Sequence, residues 1–206
     1  VVATNDVRFM AREDFDARLA EFGQGLRRGR PTSRLRVLSG SCVGLPTCRL
    51  SYTDSERFEP ELVDQLEDAG YGDQDAAIGI TGCERQCFRP ATKTVGWDGQ
   101  GPDMYMLKLG GSEDGRHQGT AIVHDEQLYL RQVPRDRVPG VTAMLFDYWK
   151  ANRRENGRAE EMGAFYRRLG TAHLLDAIRA DARTSDLLHK THPAPFQPDG
   201  CALDTA

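Results

Sequence analysis

Residues 81–90 read TGCERQCFRP, and residues 39–48 read SGSCVGLPTC. These two stretches hold four of the five cysteines in the chain. Five residues separate the members of the first pair and three those of the second, and 34 residues lie between the pairs. The fold and function predicted below depend on this concentration of thiols. The four cysteines are Cys42, Cys48, Cys83 and Cys87.

Each pair follows a segment that reads as a strand. RLRVLSG at 34–40 is predicted to be a strand that runs into the first pair, and AAIGIT at 76–81 a short buried strand that leads into the second. Glycines stand nearby, at Gly40, Gly44 and Gly82. Such loops bring backbone N–H groups close to a bound anionic centre.

Four thiolates can hold a structural zinc ion or a [4Fe-4S] cluster. Zinc usually prefers partners about two to four residues apart, and the five-residue gap lies outside that range. A cube is wider than one ion and tolerates longer and unequal gaps, so the spacing favours iron–sulfur. Zinc, and free or disulfide-bonded thiols, remain as alternatives, although an odd cysteine count is untypical of a disulfide framework.

Composition indicates an ordinary globular protein of 206 residues, with 39% hydrophobic and 28% charged residues. A net charge of −4 makes nucleic acid a poor partner. The sequence shows no apolar run of the roughly 18 residues that a membrane span needs, and no signal peptide pattern. These features predict no membrane partner and a cytoplasmic location. The first residue is Val1 rather than methionine, so we expect a piece of a longer polypeptide or a processed product.

Strands are predicted at the start of the chain's second half and helices at its end. In MYMLKL, Tyr105, Leu107 and Leu109 alternate with Met106 and Lys108, as a half-buried strand requires. From Pro134 the sequence is helical, with further helices expected over 159–169 and 171–188. The predicted fold class is α+β, a mixed sheet with helices packed on one face.

The two cysteine stretches together resemble the iron–sulfur and siroheme signature of the sulfite and nitrite reductases. The likeness extends over roughly residues 35–170, and TVGWDGQGPDMYMLKLGG resembles the family's glycine-rich strand pair. The resemblance implies that all four cysteines ligate a [4Fe-4S] cluster. It also implies that Cys87 bridges this cluster to the iron of siroheme as an axial ligand.

Two arginines are candidate siroheme contacts by the same resemblance. Arg85 is suited to pair with a siroheme carboxylate, the alternative being a salt bridge with Glu84. Arg89 matches a family arginine, the alternative being an ordinary surface residue. The family commonly has Pro-Asn-Gly where this chain has Glu84, Arg85 and Gln86. Because glycine and asparagine suit left-handed backbone, their absence predicts a different loop or a different macrocycle contact.

The resemblance divides the chain into three parts and implies one half of a duplicated architecture. Residues 1–33 resemble the end of a ferredoxin-like module, with a strand at 4–10 and a helix carrying Phe15, Leu19 and Phe22. Residues 34–190 form the [4Fe-4S] and siroheme domain. Residues 191–206, with three prolines and an isolated Cys201, are expected to be extended or mobile.

The implied activity is that of the C-terminal half of a reductase that converts sulfite to sulfide, or nitrite to ammonia, by six-electron reduction. Its partners would be a small anion and an electron donor such as ferredoxin or a flavoprotein. The basic stretch 150–168 is a candidate docking patch, the alternative being a solvated helix face. No catalytic residue is identified. The alternatives are an iron–sulfur relative without siroheme that acts on corrin precursors, and a zinc-stabilised interaction module.

Overall fold

The computed structural model describes residues 26–27, 30–155, 157 and 159–194. The strand predicted at 4–10 and Cys201 lie outside these residues, as does the predicted helix as far as Phe22. Leu26, expected on the apolar face of the same helix, is instead in a strand. The strands are β1 (Leu26–Arg27), β2 (Arg30–Pro31), β3 (Gly40–Ser41), β4 (Ile78–Thr81), β5 (Val95–Gly101), β6 (Met104–Leu109), β7 (Thr120–His124), β8 (Gln127–Tyr129), β9 (Val133–Pro134) and β10 (His192–Pro193). The α-helices are α1 (Arg34–Leu38), α2 (Ser55–Asp68), α3 (Val138–Asn152), α4 (Met162–Leu169) and α5 (Thr171–Ala180).

Eight strands form one mixed sheet, in the order β10-β8-β7-β6-β5-β4-β3, with β9 paired to β6. The pairs β3–β4 and β4–β5 are parallel, and the remaining pairs are antiparallel. β1 and β2 form a separate antiparallel hairpin. β10, at the start of the predicted tail, pairs with β8. The predicted α+β class with a mixed sheet is therefore confirmed.

The strand predicted over 34–40 is wrong, because most of this segment is the helix α1. Ser33 caps it, since its Oγ accepts a hydrogen bond from Arg36 N at 3.1 Å. The Arg36 guanidinium then pairs with Asp64 at 2.5 Å and Glu67 at 2.7 Å, both on α2. These distant ion pairs hold a helical turn that the local apolar alternation does not favour. Val37, apolar in that pattern, is 63% exposed.

Helices pack against one face of the sheet. Along β6 the alternation predicted from the sequence is observed, because Tyr105, Leu107 and Leu109 are buried and their neighbours only partly so. Buried residues of α2, α3, α4 and α5 join those of β4, β5 and β6 in a single apolar core. α3 ends at Asn152, and the helix predicted over 171–188 is shorter than expected, with a separate 3₁₀ turn at Ser185–His189. In the part of the chain that the structure describes, no helix has the length and apolar character needed to cross a bilayer.

Glu160 ties the end of α3 to α4. Its carboxylate accepts hydrogen bonds from Arg168 Nε at 2.7 Å and from Arg154 N at 3.0 Å. Its carbonyl accepts a hydrogen bond from Trp149 Nε1 at 2.9 Å. The hydrogen bond from Arg168 is the main cause that lowers the pKa of Glu160 from 4.5 to about 2, against an opposing contribution from desolvation.

Replacing Glu160 by Gln should therefore lower the free energy of unfolding near neutral pH, by on the order of 1–2 kcal/mol after allowance for the partly exposed Arg168. Because the folded pKa lies below the unfolded one, this stabilisation is present above about pH 4.5 and is lost as the pH falls toward 2. Urea unfolding of both proteins across this range measures the difference. A difference in unfolding free energy that stays constant down to about pH 2 would contradict the assignment. An equal difference when Glu160→Gln is made in an Arg168→Met background would also contradict it.

Candidate metal and cofactor site

Parallel pairing of β3 and β4 brings the two cysteine stretches to the same edge of the sheet. Ser41 lies opposite Ile80, and Cys42 N donates to Ile80 O at 3.1 Å, so the pairing continues to the first cysteine. Cys83 follows the end of β4 by two residues. Since parallel strands end at the same edge, both loops leave the sheet side by side.

The first loop is a compact turn closed on α2. Cys48 N donates to Gly44 O at 2.7 Å, and Leu45 N donates to Thr53 O at 2.9 Å. Gly44 has a φ of +57°, and a Cβ at this position would lie 2.5 Å from the backbone N of Ser55. Glycine is therefore required at this position for both its backbone conformation and its close approach to the helix.

The second loop contains left-handed backbone without glycine or asparagine. Gln86 has a φ of 55° and Arg89 a φ of 50°. Gln86 N donates to Cys83 O at 3.4 Å, and Arg89 N donates to Gln86 O at 2.7 Å, so two consecutive turns are formed. Hydrogen bonds thus hold Gln86 in a left-handed conformation that costs roughly 1–2 kcal/mol for a residue other than glycine or asparagine.

All four cysteines line one cavity of about 340 Å³. Their thiols are free; Cys83 is buried and Cys87 is exposed, with the other two between these extremes. Phe88 and Val43 contribute apolar walls, and hydroxyls come from Ser41, Ser51 and Thr81. Within the described ranges, no three His, Cys, Asp or Glu side chains are grouped so as to hold a single metal ion.

One backbone donor and one hydroxyl oxygen lie against the first sulfur. Gly82 N donates to Cys42 Sγ at 3.2 Å, which links the second loop to a thiol of the first. Ser55 Oγ lies 3.1 Å from the same sulfur and donates to Cys42 O at 2.9 Å. Donors to sulfur stabilise the thiolate form that metal ligation requires. The residues present thus suit an anionic, sulfur-ligated group.

The hydroxyls of the cavity are the part of the site that the sequence reasoning missed. Thr81 stands inside the quoted motif, immediately before Gly82, so its position was a usable signal. Ser55 is 13 residues from Cys42, and no local pattern connects the two. Ser55 could be connected with Cys42 only after the structure showed that α2 begins beside the first loop.

Both arginines proposed as siroheme contacts are exposed and lie on the same loop as the exposed Cys87. Neither Arg85 nor Arg89 forms a salt bridge with any residue that the structure describes, and the alternative pairing of Arg85 with Glu84 is not observed. Neither side chain is among those that line the cysteine cavity, so both lie outside its wall although they flank Cys87 in sequence.

Several basic side chains of the stretch 150–168 already have partners within the protein. Arg168 pairs with Glu160 at 2.6 Å, and Arg153 pairs with Glu155 at 3.1 Å. Lys150 lies over the ring of Tyr71, 5.0 Å from its centre. Arg158 lies outside the described residues. These internal contacts favour the solvated helix face over a dedicated docking patch.

The close approach of β5 to the second loop provides a test of this geometry. A Cβ on Gly99 would lie 2.6 Å from the carbonyl carbon of Gly82 and 3.1 Å from Cys83 N, whereas a Cβ on Gly101 of the same strand meets nothing within 4 Å. Gly99→Ala should destabilise the protein by about 1–3 kcal/mol through overpacking, and Gly101→Ala should be nearly neutral. Urea unfolding compares the two, and equal stability of both variants would show that the loop does not sit against β5.

Proteins similar in sequence are sulfite reductase (NADPH) hemoprotein beta-components. That of Methylobacterium sp. (strain 4-46) is 35% identical over 164 residues, which cover 78% of this chain and 25% of that protein. That of Methylorubrum extorquens (strain PA1) is 37% identical over 163 residues, covering 77% of this chain and 24% of the relative. The chain thus spans about a quarter of the length of the curated relatives it matches. No family model matches the chain.

Two solved structures share the fold. The NirA protein of Mycobacterium tuberculosis has a TM-score of 0.56 and 24% identity, over 82% of this chain and 31% of that one. Dissimilatory sulfite reductase I has a TM-score of 0.53 and 12% identity, over 79% of this chain and 55% of that one. With the sequence relatives, these matches show that the chain is related, over the matched region, to the sulfite and nitrite reductase family.

Proposed function

We propose that the chain is the C-terminal, cluster-binding part of a siroheme-dependent reductase that carries out the six-electron reduction of sulfite to sulfide or of nitrite to ammonia. The observation that carries the proposal is the single cavity lined by four free cysteines from two separate loops. The names of the sequence relatives favour sulfite as the substrate.

A [4Fe-4S] cluster suits the cavity better than a zinc ion does. A structural zinc usually takes paired cysteines about two to four residues apart, whereas five residues separate Cys42 from Cys48. Thiolates that hold a cluster are commonly tuned by hydrogen bonds to sulfur, and Gly82 N already supplies one to Cys42. Cys83, buried beneath the second loop, would be shielded from water and oxygen.

The exposed Cys87 supports a second role for the same site. In the proposed arrangement its thiolate holds both the cluster and the iron of siroheme, the group that supplies the iron at which the anion is reduced. Arg85 and Arg89, on the same loop and free of salt bridges within the described residues, would pair with carboxylates of the macrocycle. Residues that grip the anion and donate protons would come from the remainder of the enzyme, and ferredoxin or a flavoprotein would supply electrons.

The absorption spectrum of protein reconstituted anaerobically with iron, sulfide and siroheme distinguishes the candidates. The proposal predicts intense macrocycle bands together with the broad absorption of an iron–sulfur cluster. Broad absorption without macrocycle binding would instead support the relative that acts on corrin precursors. A colourless protein that retains zinc would support the interaction module and contradict both redox functions.

Single substitutions of cysteine by serine test the ligand assignment. Cys83→Ser should reduce bound iron from about four atoms per chain to a small fraction of that value, because one thiolate is lost from the cluster. Cys201→Ser, which changes the cysteine outside the two pairs, is the matched control and should retain iron. Iron analysis of anaerobically purified protein gives the result. Full iron retention in Cys83→Ser would remove this residue from the ligand set.

A further substitution tests the bridge. Cys87→Ser should abolish the spectroscopic coupling between the cluster and siroheme, since the shared thiolate is the covalent connection between them. Electron paramagnetic resonance of the reduced, siroheme-loaded protein measures this coupling. Coupling that persists in the variant would show that another atom connects the two centres.

A further inference from the structure

Asp98 is a fully buried carboxylate on β5, on the sheet face opposite the apolar core. Its exposed fraction is 0%, and its neighbours Val95 and Trp97 point to the other face. Aspartate is almost never fully buried unless it is paired, because the charged form loses its hydration. Neither the proposed cluster ligands nor the siroheme contacts account for this residue.

Lys108 and Thr81 are the partners of this carboxylate. Lys108 Nζ, on the adjacent strand β6, lies 2.9 Å from Asp98 Oδ2, and the Lys108 side chain is only 12% exposed. The single hydroxyl proton of Thr81 faces two acceptors, Cys83 O at 3.1 Å and Asp98 Oδ1 at 3.4 Å from Thr81 Oγ1. A polar network therefore runs from Lys108 through Asp98 and Thr81 to the backbone of a predicted cluster ligand.

The ion pair lies at the end of the sheet from which the second cysteine loop leaves, because Asp98 is the register partner of Thr81, the last residue of β4. Gly99, the residue after Asp98, is so close to the loop that a Cβ on it would lie 3.1 Å from Cys83 N. Burial raises the pKa of Asp98, and the charge of Lys108 opposes this rise. The carboxylate is one hydroxyl away from the Cys83 peptide, whereas the ammonium lies on its far side.

A buried ion pair contributes little net stability, because the desolvation of two charges offsets their attraction. An apolar pair of similar volume at Asp98 and Lys108 would serve the fold as well. What an apolar pair could not provide is a fixed charge at the cluster loop. The reduction potential of an iron–sulfur cluster depends on nearby net charge and on burial, and fixed charges act more strongly in a poorly hydrated interior.

We propose that the buried Asp98–Lys108 ion pair sets the reduction potential of the iron–sulfur centre, with Asp98 disfavouring the reduced state and Lys108 offsetting that effect. The inference rests on the proposed function, since it requires a cluster at the four cysteines. Both residues are positioning residues, because they act through Thr81 and the Cys83 peptide rather than by ligating metal.

Substitutions at the two ends of the ion pair should move the potential in opposite directions. Asp98→Asn removes a negative charge, leaves Lys108 uncompensated and should shift the cluster potential in the positive direction. Lys108→Met leaves the carboxylate uncompensated and should shift it in the negative direction. Because the carboxylate lies nearer the Cys83 peptide than the ammonium does, the double variant should keep a positive shift that is smaller than that of Asp98→Asn alone. Redox titration of the reconstituted chain at about pH 8, followed by electron paramagnetic resonance, measures all four proteins.

The matched control is Asp176→Asn. Asp176 pairs with Arg179 on α5, and both side chains are largely exposed, at 72% and 62%. This variant makes the same chemical change away from the cysteine loops and should leave the potential unchanged.

The possible results distinguish failure of the inference from failure of the proposed function on which it rests. An iron-free wild-type protein would overturn both. A wild-type cluster whose potential is the same in Asp98→Asn would overturn the inference alone, because a merely structural role alters stability without moving the potential. If Asp98→Asn fails to hold iron, the potential of Lys108→Met is measured instead. A wild-type potential in Lys108→Met would then overturn the inference.

Discussion

The short parallel pairing between β3 and β4 is the constraint on which the site depends. Only two residue pairs form it, Gly40 with Gly79 and Ser41 with Ile80, and the Cys42 amide extends it by one hydrogen bond. It nevertheless places two thiol pairs that are 34 residues apart in sequence around one cavity. The 14 residues of α2 lie in the intervening chain and anchor it in the core through Phe58, Leu62 and Leu66. The site is thus assembled by strand pairing and stabilised by helix packing.

The two faces of the sheet differ in what packs against them. One face is apolar and covered by helices, whereas the other carries Gly79 and Gly96 and is approached by the backbone of Pro90. A Cβ on Gly96 would lie 2.5 Å from the carbonyl oxygen of Pro90, so the chain after Cys87 rests directly on the strands. This close packing puts the buried Asp98 beside the loop that carries two of the proposed ligands. Small residues and one buried charge therefore shape the surroundings of the cavity.

The sequence predicts those features that depend on local pattern. The alternation in β6 and the buried strand predicted over 76–81 are both observed, the strand as Ile78–Thr81. The helix α1 was missed, because Arg36 is held by acids about thirty residues away. The left-handed Gln86 is likewise imposed by hydrogen bonds rather than by residue type. The pairing of Asp98 with Lys108 depends on the register of neighbouring strands, which periodicity does not specify.

The central claim is that sulfurs from both loops hold one polynuclear cluster, and native mass spectrometry of anaerobically prepared protein tests it most directly. The account predicts a chain that is heavier by one unit of four iron and four sulfide atoms, and that loses the whole unit together on oxidation. A mass increase equal to a single zinc ion, or a chain without any added mass after reconstitution, would contradict it.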